Sequence, residues 1–269
     1  MPSQTDQRIT RDDLRDHLIE TRIAGSVATP VGDVLYKAQL VAAGRVEHSF
    51  GLSGLDSFTP AEVLAEIERQ FGWTPTPGEP ADGPTWIDPD LVLAELDRAA
   101  ERLAVAARAG ERVLLASGHP TGVLSLHQQV AVALRQGGAK LLHPGDGLRL
   151  DLDGHARQVR YLLDVAALTS GANVYHTHDA RPMQHVLDRA EAESQPIDLV
   201  VGDHGWAGAA VERGIDVVAV ADINDPALPL AKAQGRAGVV IGMDDNVPLP
   251  RHYDRVAEYL TRLIPASSS

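Results

Sequence analysis

Imidazole and carboxylate side chains recur in this chain directly after apolar runs, where they are able to transfer protons or bind a cation. The residues in this arrangement are His176, His178, Asp203, His204, Asp222 and Asp225. Neutral imidazole and carboxylate are natural ligands of divalent metals, and both groups also serve as general acids and bases. Because alternate side chains of a strand share a face, the two imidazoles of His-x-His are predicted to point into one site.

The expected cofactor is a divalent metal ion, with manganese, zinc and magnesium as the candidates. Its predicted ligands are His176, His178, Asp203 and Asp222. His204 and Asp225 are predicted to be catalytic, and either one is the candidate for the general base or acid. An ordinary alternative stays open, since a carboxylate after a strand often only caps the next helix. We interpret Asp244 and Asp245 as a turn, and His127 as a packed or solvated histidine.

A second stretch, SGHPTG at residues 117–122, joins an apolar run to a helical one. Such a turn presents backbone amides at a helix N-terminus, which favours an anion such as phosphate. Gly118, His119, Thr121 and Gly122 are therefore predicted to bind phosphate, with His119 also as a catalytic residue. A tight turn without a ligand is the alternative, because the stretch is neither a Walker loop nor a GxGxxG motif.

The strands and helices that position these residues are predicted from a repeating pattern that starts at residue 111. Short apolar runs there alternate with stretches of helical period. This alternation predicts an α/β fold, a Rossmann-like, mostly parallel doubly wound sheet. In such a sheet the carboxyl ends of the strands meet at one edge, where ligands bind. The pair Asp153-Gly154 indicates one hairpin within residues 147–170.

The N-terminal part of the chain, residues 1–110, lacks this alternation. Its helices are predicted to begin or end at Thr10, Thr59, Gly72, Asp88 and Gly110. Residues 24–56 are predicted to be mostly loop. We therefore divide the chain into a helical and irregular extension, 1–110, packed on a main α/β domain, 111–265. The extension is expected to cover the site, with residues 21–33 reaching over it, or to form the surface of a homodimer.

Composition limits the class of protein further. The 269 residues include 24 Lys and Arg against 37 Asp and Glu, a formal charge of −13. An anionic substrate therefore needs a local cation or a helix N-terminus to offset the field. The chain has no cysteine, no apolar leader in residues 1–10 and no apolar run long enough to span a bilayer. We expect a cytoplasmic protein that binds neither nucleic acid nor a membrane.

Four stretches together resemble a family of bacterial proteins, common in actinobacteria, that is labelled simply phosphatase: LLASGHPTGVL, VYHTHDARP, VVGDHGWAGAA and VADINDPAL. The resemblance runs nearly end to end. The positions that match the family pattern are His119, His176, His178, Asp203, His204, Trp206, Asp222 and Asp225. Two stretches depart from it: Asp179 stands where serine is usual, and Ile223-Asn224 where Thr-Asp is usual. The second departure removes a carboxylate from position 224.

The preferred hypothesis is a metal-assisted phosphatase, a phosphomonoester hydrolase acting on a small phosphorylated metabolite. One alternative is a metal-free enzyme or binding protein for a phosphosugar or nucleotide, in which the histidines bind hydroxyls or transfer protons. Another is a non-catalytic regulatory or assembly protein. Elemental analysis separates the first two, since a stoichiometric transition metal excludes the metal-free alternative.

Overall fold

The computed structural model of the chain describes residues 9–247 and 249–265. The α-helices in this part are α1 (Arg11–Glu20), α2 (Val31–Ala42), α3 (Pro60–Phe71), α4 (Pro89–Ala109), α5 (Leu124–Gln136), α6 (Arg181–Ala192), α7 (His204–Glu212), α8 (Ala227–Ala233) and α9 (Asp254–Thr261). The strands are β1 (Gly25–Pro30), β2 (Pro84–Ile87), β3 (Arg112–Ala116), β4 (Lys140–Leu141), β5 (Arg149–Leu152), β6 (His155–Leu162), β7 (Val165–Ser170), β8 (Asn173–Tyr175), β9 (Leu199–Asp203), β10 (Asp216–Ala221) and β11 (Val239–Gly242). The expectation about a leader concerns residues 1–10, of which 1–8 lie outside the described residues.

The central sheet is mixed. Its strands follow the order β11-β10-β9-β3-β7-β6-β5, with β4 beside β3 and β8 beside β7. The pairs from β11 through β9 to β3, and those of β3 with β4 and β7, are parallel. In contrast, β5, β6, β7 and β8 pair antiparallel in sequence order. The prediction of a Rossmann-like, mostly parallel doubly wound sheet is therefore wrong.

Tight turns after β5, β6 and β7 produce the antiparallel half. The β5–β6 turn holds Asp153 and Gly154 at φ 56° and 80°, and the β6–β7 turn holds Leu163 and Asp164 at φ 49° and 72°. Two-residue hairpin loops commonly require positive φ at both positions, which Asp-Gly supplies readily. The predicted hairpin at Asp153 is confirmed. The second turn contains no glycine or asparagine, so the sequence carries no signal for it.

The N-terminal part of the chain is more regular than its composition suggests. The predicted helix caps are confirmed, and Thr10 and Thr59 each begin a helix with a capping box. The prediction of loop over residues 24–56 is wrong, because this stretch contains β1 and α2. Helix α2 follows Pro30 without a side-chain cap, so the usual start signal is missing. Strands β1 and β2 form a small antiparallel sheet of their own.

One hydrophobic core connects both parts of the chain. Leu14 and Phe71 belong to the same buried cluster as Leu115 and Val201. Helix α4 packs against β11, and α3 packs against α8. The division at residue 110 stays a prediction. Across residues 9–247 and 249–265, none of the helices has the length and apolar character needed to cross a bilayer.

Candidate active site

The site lies where the parallel strands β3, β9, β10 and β11 end. Strand β8 arrives there differently, because it is antiparallel to β7 and ends at Tyr175. The hairpin returns the following residues to the end of β3, where the backbone N–H of Thr177 donates to the carbonyl of Gly118 at 2.9 Å. His176 and His178 therefore reach the site just beyond a returning hairpin strand, and not on a parallel strand.

Four imidazoles gather at this edge. The ring centroids of His119 and His176 lie 4.5 Å apart, those of His176 and His178 4.9 Å, and those of His178 and His204 4.6 Å. One ring nitrogen from each of His176, His178 and His204 falls within a set no wider than 4.8 Å. His176 is exposed and His204 is buried. The cluster therefore opens to solvent on the His176 side.

His204 also faces two carboxylates. Its Nε2 atom lies 3.3 Å from Oδ2 of Asp225 and 3.6 Å from Oδ2 of Asp245. These three residues form a second set whose candidate ligand atoms lie within 4.8 Å of one another. His204 belongs to both sets, so a set of three imidazoles and a set of one imidazole and two carboxylates adjoin each other at this ring.

Asp203, the last residue of β9, lies behind His204, the first residue of α7. Its Oδ1 atom accepts hydrogen bonds from the Gly118 backbone at 2.5 Å and from Nδ1 of His204 at 2.9 Å. Its Oδ2 atom accepts from the Ser117 hydroxyl at 2.8 Å, with Nδ1 of His127 3.6 Å away. Asp203 therefore accepts the Nδ1 proton of His204 and orients the ring so that Nε2 points toward Asp225 and Asp245.

Both carboxylate oxygens of Asp222 also accept hydrogen bonds from groups of the protein. One oxygen accepts from the Thr29 hydroxyl at 2.9 Å and the other from the Ile223 backbone at 2.7 Å. Neither Asp222 nor Asp203 belongs to the two ligand sets found among the described residues. Their predicted role as metal ligands stays a prediction. The structure adds Asp245, which we interpreted as a turn, although it follows β11 at the same sheet edge.

Three backbone amides of the predicted phosphate-binding turn, residues 117–122, are already paired. The N–H of Gly118 donates to Asp203, that of His119 to the Ser117 hydroxyl at 3.1 Å, and that of Gly122 to the His119 carbonyl at 3.2 Å. The predicted binding of phosphate by this turn stays a prediction. These three amides are unavailable to a phosphate unless the turn changes its bonding.

Close packing explains the two glycines of the turn. A Cβ atom at Gly118 would lie 2.5 Å from the carbonyl oxygen of Thr177, and one at Gly122 would overlap the carbonyl of Asp245. Thr121 stands at an exposed position. The glycines thus let the loops after β3, β8 and β11 approach one another, which is what assembles the cluster.

His119 is held by the loop after β11. Its Nε2 atom lies 2.8 Å from Oδ1 of Asn246, whose amide donates in turn to Oδ1 of Asp245 at 2.8 Å. Nε2 therefore carries the proton, and the buried Nδ1 atom has no hydrogen-bond partner in the protein. Oδ2 of Asp245 is buried without a hydrogen-bond partner as well. Nδ1 of His119 and Oδ2 of Asp245 can therefore each still accept a hydrogen bond or bind a cation beside the cluster.

Comparison with known proteins places the chain in a family. The model of the family described as Phosphatase matches residues 9–267. The chain belongs to this phosphatase family. It is also similar to Phosphatase SCO2771 of Streptomyces coelicolor, with 42% identity over 253 residues that cover 93% of this chain and 95% of the relative. The family resemblance carried by the four motifs is confirmed, and hydrolysis of phosphate esters is the activity that it supports.

Burial controls the charge of the imidazoles in this phosphatase-family site. Burial lowers the pKa of His178 to about 3, and desolvation together with neighbouring imidazoles lowers that of His176 to about 4 despite its exposure. Burial opposes protonation of His204 too, but hydrogen bonds to Asp203 and Asp225 outweigh it and raise the pKa of this ring. His176 and His178 are thus neutral near pH 7, which is the form that binds metals.

Burial also acts on the acids. It raises the pKa of Asp245 to about 6 and that of Asp222 well above its ordinary value, with Asp244 adding to the effect on Asp222. Asp225 behaves oppositely, because its hydrogen bond to His204 and the charge of Lys37 outweigh burial and lower its pKa. Ionising Asp222 or Asp245 in this phosphatase-family site therefore costs free energy, and an added cation would offset that cost.

Residues far away in the sequence complete the site. Thr29 bonds to Asp222, so residues 21–33 reach the site as expected. The ring of Phe50 lies edge-on to His178 and His204, with centroids 5.2 and 5.3 Å away. Lys37 places Nζ 3.5 Å from Oδ1 of Asp225. Sequence patterns missed Lys37 and Phe50, because neither stands in a motif and both contacts are non-local.

The departure from the family pattern at position 224 has a structural counterpart. Asn224 donates a hydrogen bond from its side-chain amide to Oδ2 of Asp33 at 2.6 Å. The amide therefore ties the loop after β10 to helix α2, which also carries Lys37. In this phosphatase-family protein Asn224 connects the N-terminal residues to the site.

Proposed function

We propose that the chain is a metal-dependent phosphomonoester hydrolase that acts on a small phosphorylated metabolite. The observation that carries the proposal is the pair of adjoining candidate ligand sets that share His204. The proposed ligands are His176, His178, His204, Asp225 and Asp245. Mixed nitrogen and oxygen donors suit zinc and manganese better than magnesium, which prefers oxygen alone.

The chemistry of these side chains fits a divalent cation. Oδ2 of Asp245 is buried with no hydrogen-bond partner, which costs free energy unless a ligand satisfies it. The Nδ1 proton of His204 is already committed to Asp203, an arrangement typical of metal-binding histidines. When bound, the cation would supply Lewis-acid stabilisation of the charge on the phosphoryl oxygens.

The chain's own residues have separate roles in this proposal. His204 and Asp225 bind the cation, in place of the acid and base roles that we expected from the sequence. Asp203 orients His204 through the Nδ1 hydrogen bond. Phe50 is buried and covers one side of His178 and His204, so it keeps water from that side.

His119 is the proposed proton-transfer residue. Asn246 holds the Nε2 proton, so the unpartnered Nδ1 atom is free to accept a proton from the attacking water. In the hydrolysis a water oxygen bonds to phosphorus as the ester P–O bond breaks. The leaving oxygen takes up a proton in exchange for the one that His119 accepts from the water, which gives an alcohol and inorganic phosphate.

The test is hydrolysis by the full-length chain before and after removal of metal. The protein is stripped with a chelator, reloaded with manganese, zinc or magnesium, and assayed on p-nitrophenyl phosphate and a panel of small phosphomonoesters. Metal content is measured by elemental analysis in each sample. We expect activity to disappear with the metal and to return in proportion to the ion bound.

Two results would contradict the proposal. Full hydrolysis by chelator-treated protein without bound metal would favour the metal-free alternative. If folded, metal-loaded protein hydrolyses none of the phosphomonoesters in the panel, the chain is not a phosphomonoester hydrolase.

A further inference from the structure

We propose that Lys37, from helix α2, binds the phosphate group of the substrate. This inference rests on the proposed function and adds a substrate-binding residue to it. Lys37 lies in no motif and belongs to the N-terminal part of the chain, residues 1–110. It would make this part of the chain a component of the active site as well as a cover for it.

The contacts of Lys37 are those of a loosely held cation. Nζ lies 3.5 Å from Oδ1 of Asp225 and 3.7 Å from Oδ2 of Asp33, both longer than a firm charge-assisted hydrogen bond. Lys232 shows the contrast, because its Nζ donates to Glu95 at 2.7 Å and to Gln70 at 3.0 Å. The ammonium of Lys37 therefore keeps donor capacity for another anion.

Lys37 also lies at the boundary between the site and solvent. Its side chain is 16% exposed, whereas that of Asp225 is only 6% exposed. Its charge is close enough to act on His178 as well as on Asp225. An anion bound beside Asp225 and His178 would thus find an ammonium group within the same site.

The charge of the site requires such a group. The acids buried at the sheet edge include Asp203 and Asp225. A phosphate dianion approaching them meets a negative field, and the chain as a whole has a formal charge of −13. The amides of Gly118, His119 and Gly122 are already paired. Lys37 is the nearby lysine with unused donors.

A different role for Lys37 makes a different prediction. If it only balances the charge of Asp225, its removal strengthens cation binding at Asp225 and leaves phosphate affinity unchanged. If it binds phosphate, its removal weakens phosphate binding even when the cation content is equal. Direct measurement of both affinities separates the two roles.

The experiment is calorimetric titration of inorganic phosphate into the manganese-loaded full-length chain, with metal content measured for every variant. Lys37→Gln is compared with Lys37→Arg, which keeps the charge. Lys140→Gln is the matched control, since Lys140 is exposed in β4, beside the start of β3 and away from the site. Circular dichroism and thermal melting check that each variant is folded.

We expect Lys37→Gln to weaken phosphate binding about ten- to a hundredfold, the range for losing a hydrogen bond to a charged group. The KM for p-nitrophenyl phosphate should rise similarly, Lys37→Arg should keep most of the affinity, and Lys140→Gln should match wild type. An unchanged phosphate Kd in Lys37→Gln at equal metal content would overturn the inference, as would a wild type that binds no phosphate.

The proposed function and the inference about Lys37 can be disproved independently of each other. A wild type that binds phosphate through Lys37 but hydrolyses no phosphomonoester would end the hydrolase proposal and leave the role of Lys37 standing. Normal hydrolysis with unchanged phosphate Kd and KM in Lys37→Gln would end only the inference about Lys37.

Discussion

His204 donates its Nδ1 proton to Oδ1 of Asp203 across 2.9 Å, while its Nε2 atom faces Asp225 and Asp245. The two residues are adjacent in sequence, at the junction of β9 and α7. His204 adopts a positive φ of 45°, which is uncommon for a residue with a side chain. This strained backbone conformation places the His204 ring between Asp203, which orients it, and the proposed ligands Asp225 and Asp245.

Asp203→Asn is expected to weaken metal binding about 10- to 100-fold, since an amide orients the ring less well than a carboxylate does. Competition with a fluorescent chelator measures this affinity. Asp12→Asn is the control, because Asp12 is exposed in α1 and far along the chain from the site. Equal metal affinity in Asp203→Asn and wild type would show that the hydrogen bond does not orient a ligand.

His178→Ala is expected to reduce bound metal below stoichiometric levels, because it removes one of three convergent imidazoles. Elemental analysis after gel filtration gives the metal-to-protein ratio. His185→Ala serves as the comparison, since His185 is an exposed residue of α6 outside the cluster. The ligand assignment is wrong if both variants retain the same ratio as wild type.

The stability of the metal-free protein should depend on pH through Asp245. Burial raises the pKa of this carboxyl from 3.8 to about 6. The folded state then holds the proton more tightly than the unfolded chain, so the contribution to stability is complete below pH 3.8 and disappears as pH rises to about 6. Over this window wild type should lose free energy of unfolding relative to Asp245→Asn.

Urea denaturation of both proteins across that pH range, with chelator present, measures the difference. Saturating metal should reverse the trend in wild type, because the ion competes with the proton for the carboxylate. A constant difference between the two proteins from pH 3.8 to about 6 would contradict the assignment.

Gly208→Ala should destabilise the protein, although alanine normally favours a helix over glycine. A Cβ atom at position 208 would overlap the backbone carbonyl of Phe50 and lie 2.8 Å from its Cβ atom. Overpacking of this kind costs roughly 1–3 kcal/mol. Since Phe50 packs on His178 and His204, metal affinity should fall as well. Thermal melting and chelator competition test both effects, and an increase in Tm would exclude the close contact.

Local signals predicted a good part of the fold. Thr59, followed by Pro60 and then Glu62, is the sequence signature of a helix N-terminus with a capping box, and α3 begins there. The antiparallel strands were missed where the turn at Leu163 and Asp164 adopts positive φ without glycine. Helix α2 was missed because it begins without a capping side chain.

The site was predictable only where the topology rule applied. Residues after strands meet at one edge, which brings His204 and Asp225 together although strand β10 separates them along the chain. The same rule covered Asp245, but a turn was the simpler interpretation of two adjacent aspartates. Lys37 and Phe50 depend on how the N-terminal part of the chain docks, and no local pattern encodes that.

The most direct test of the metal site is a crystal structure of the manganese-loaded chain with anomalous diffraction measured near the manganese absorption edge. We expect an anomalous peak within bonding distance of His204 and of its partners in one or both sets, His176 with His178 or Asp225 with Asp245. A catalytically active, manganese-loaded crystal whose anomalous peak lies away from His204 and both carboxylates would contradict this expectation.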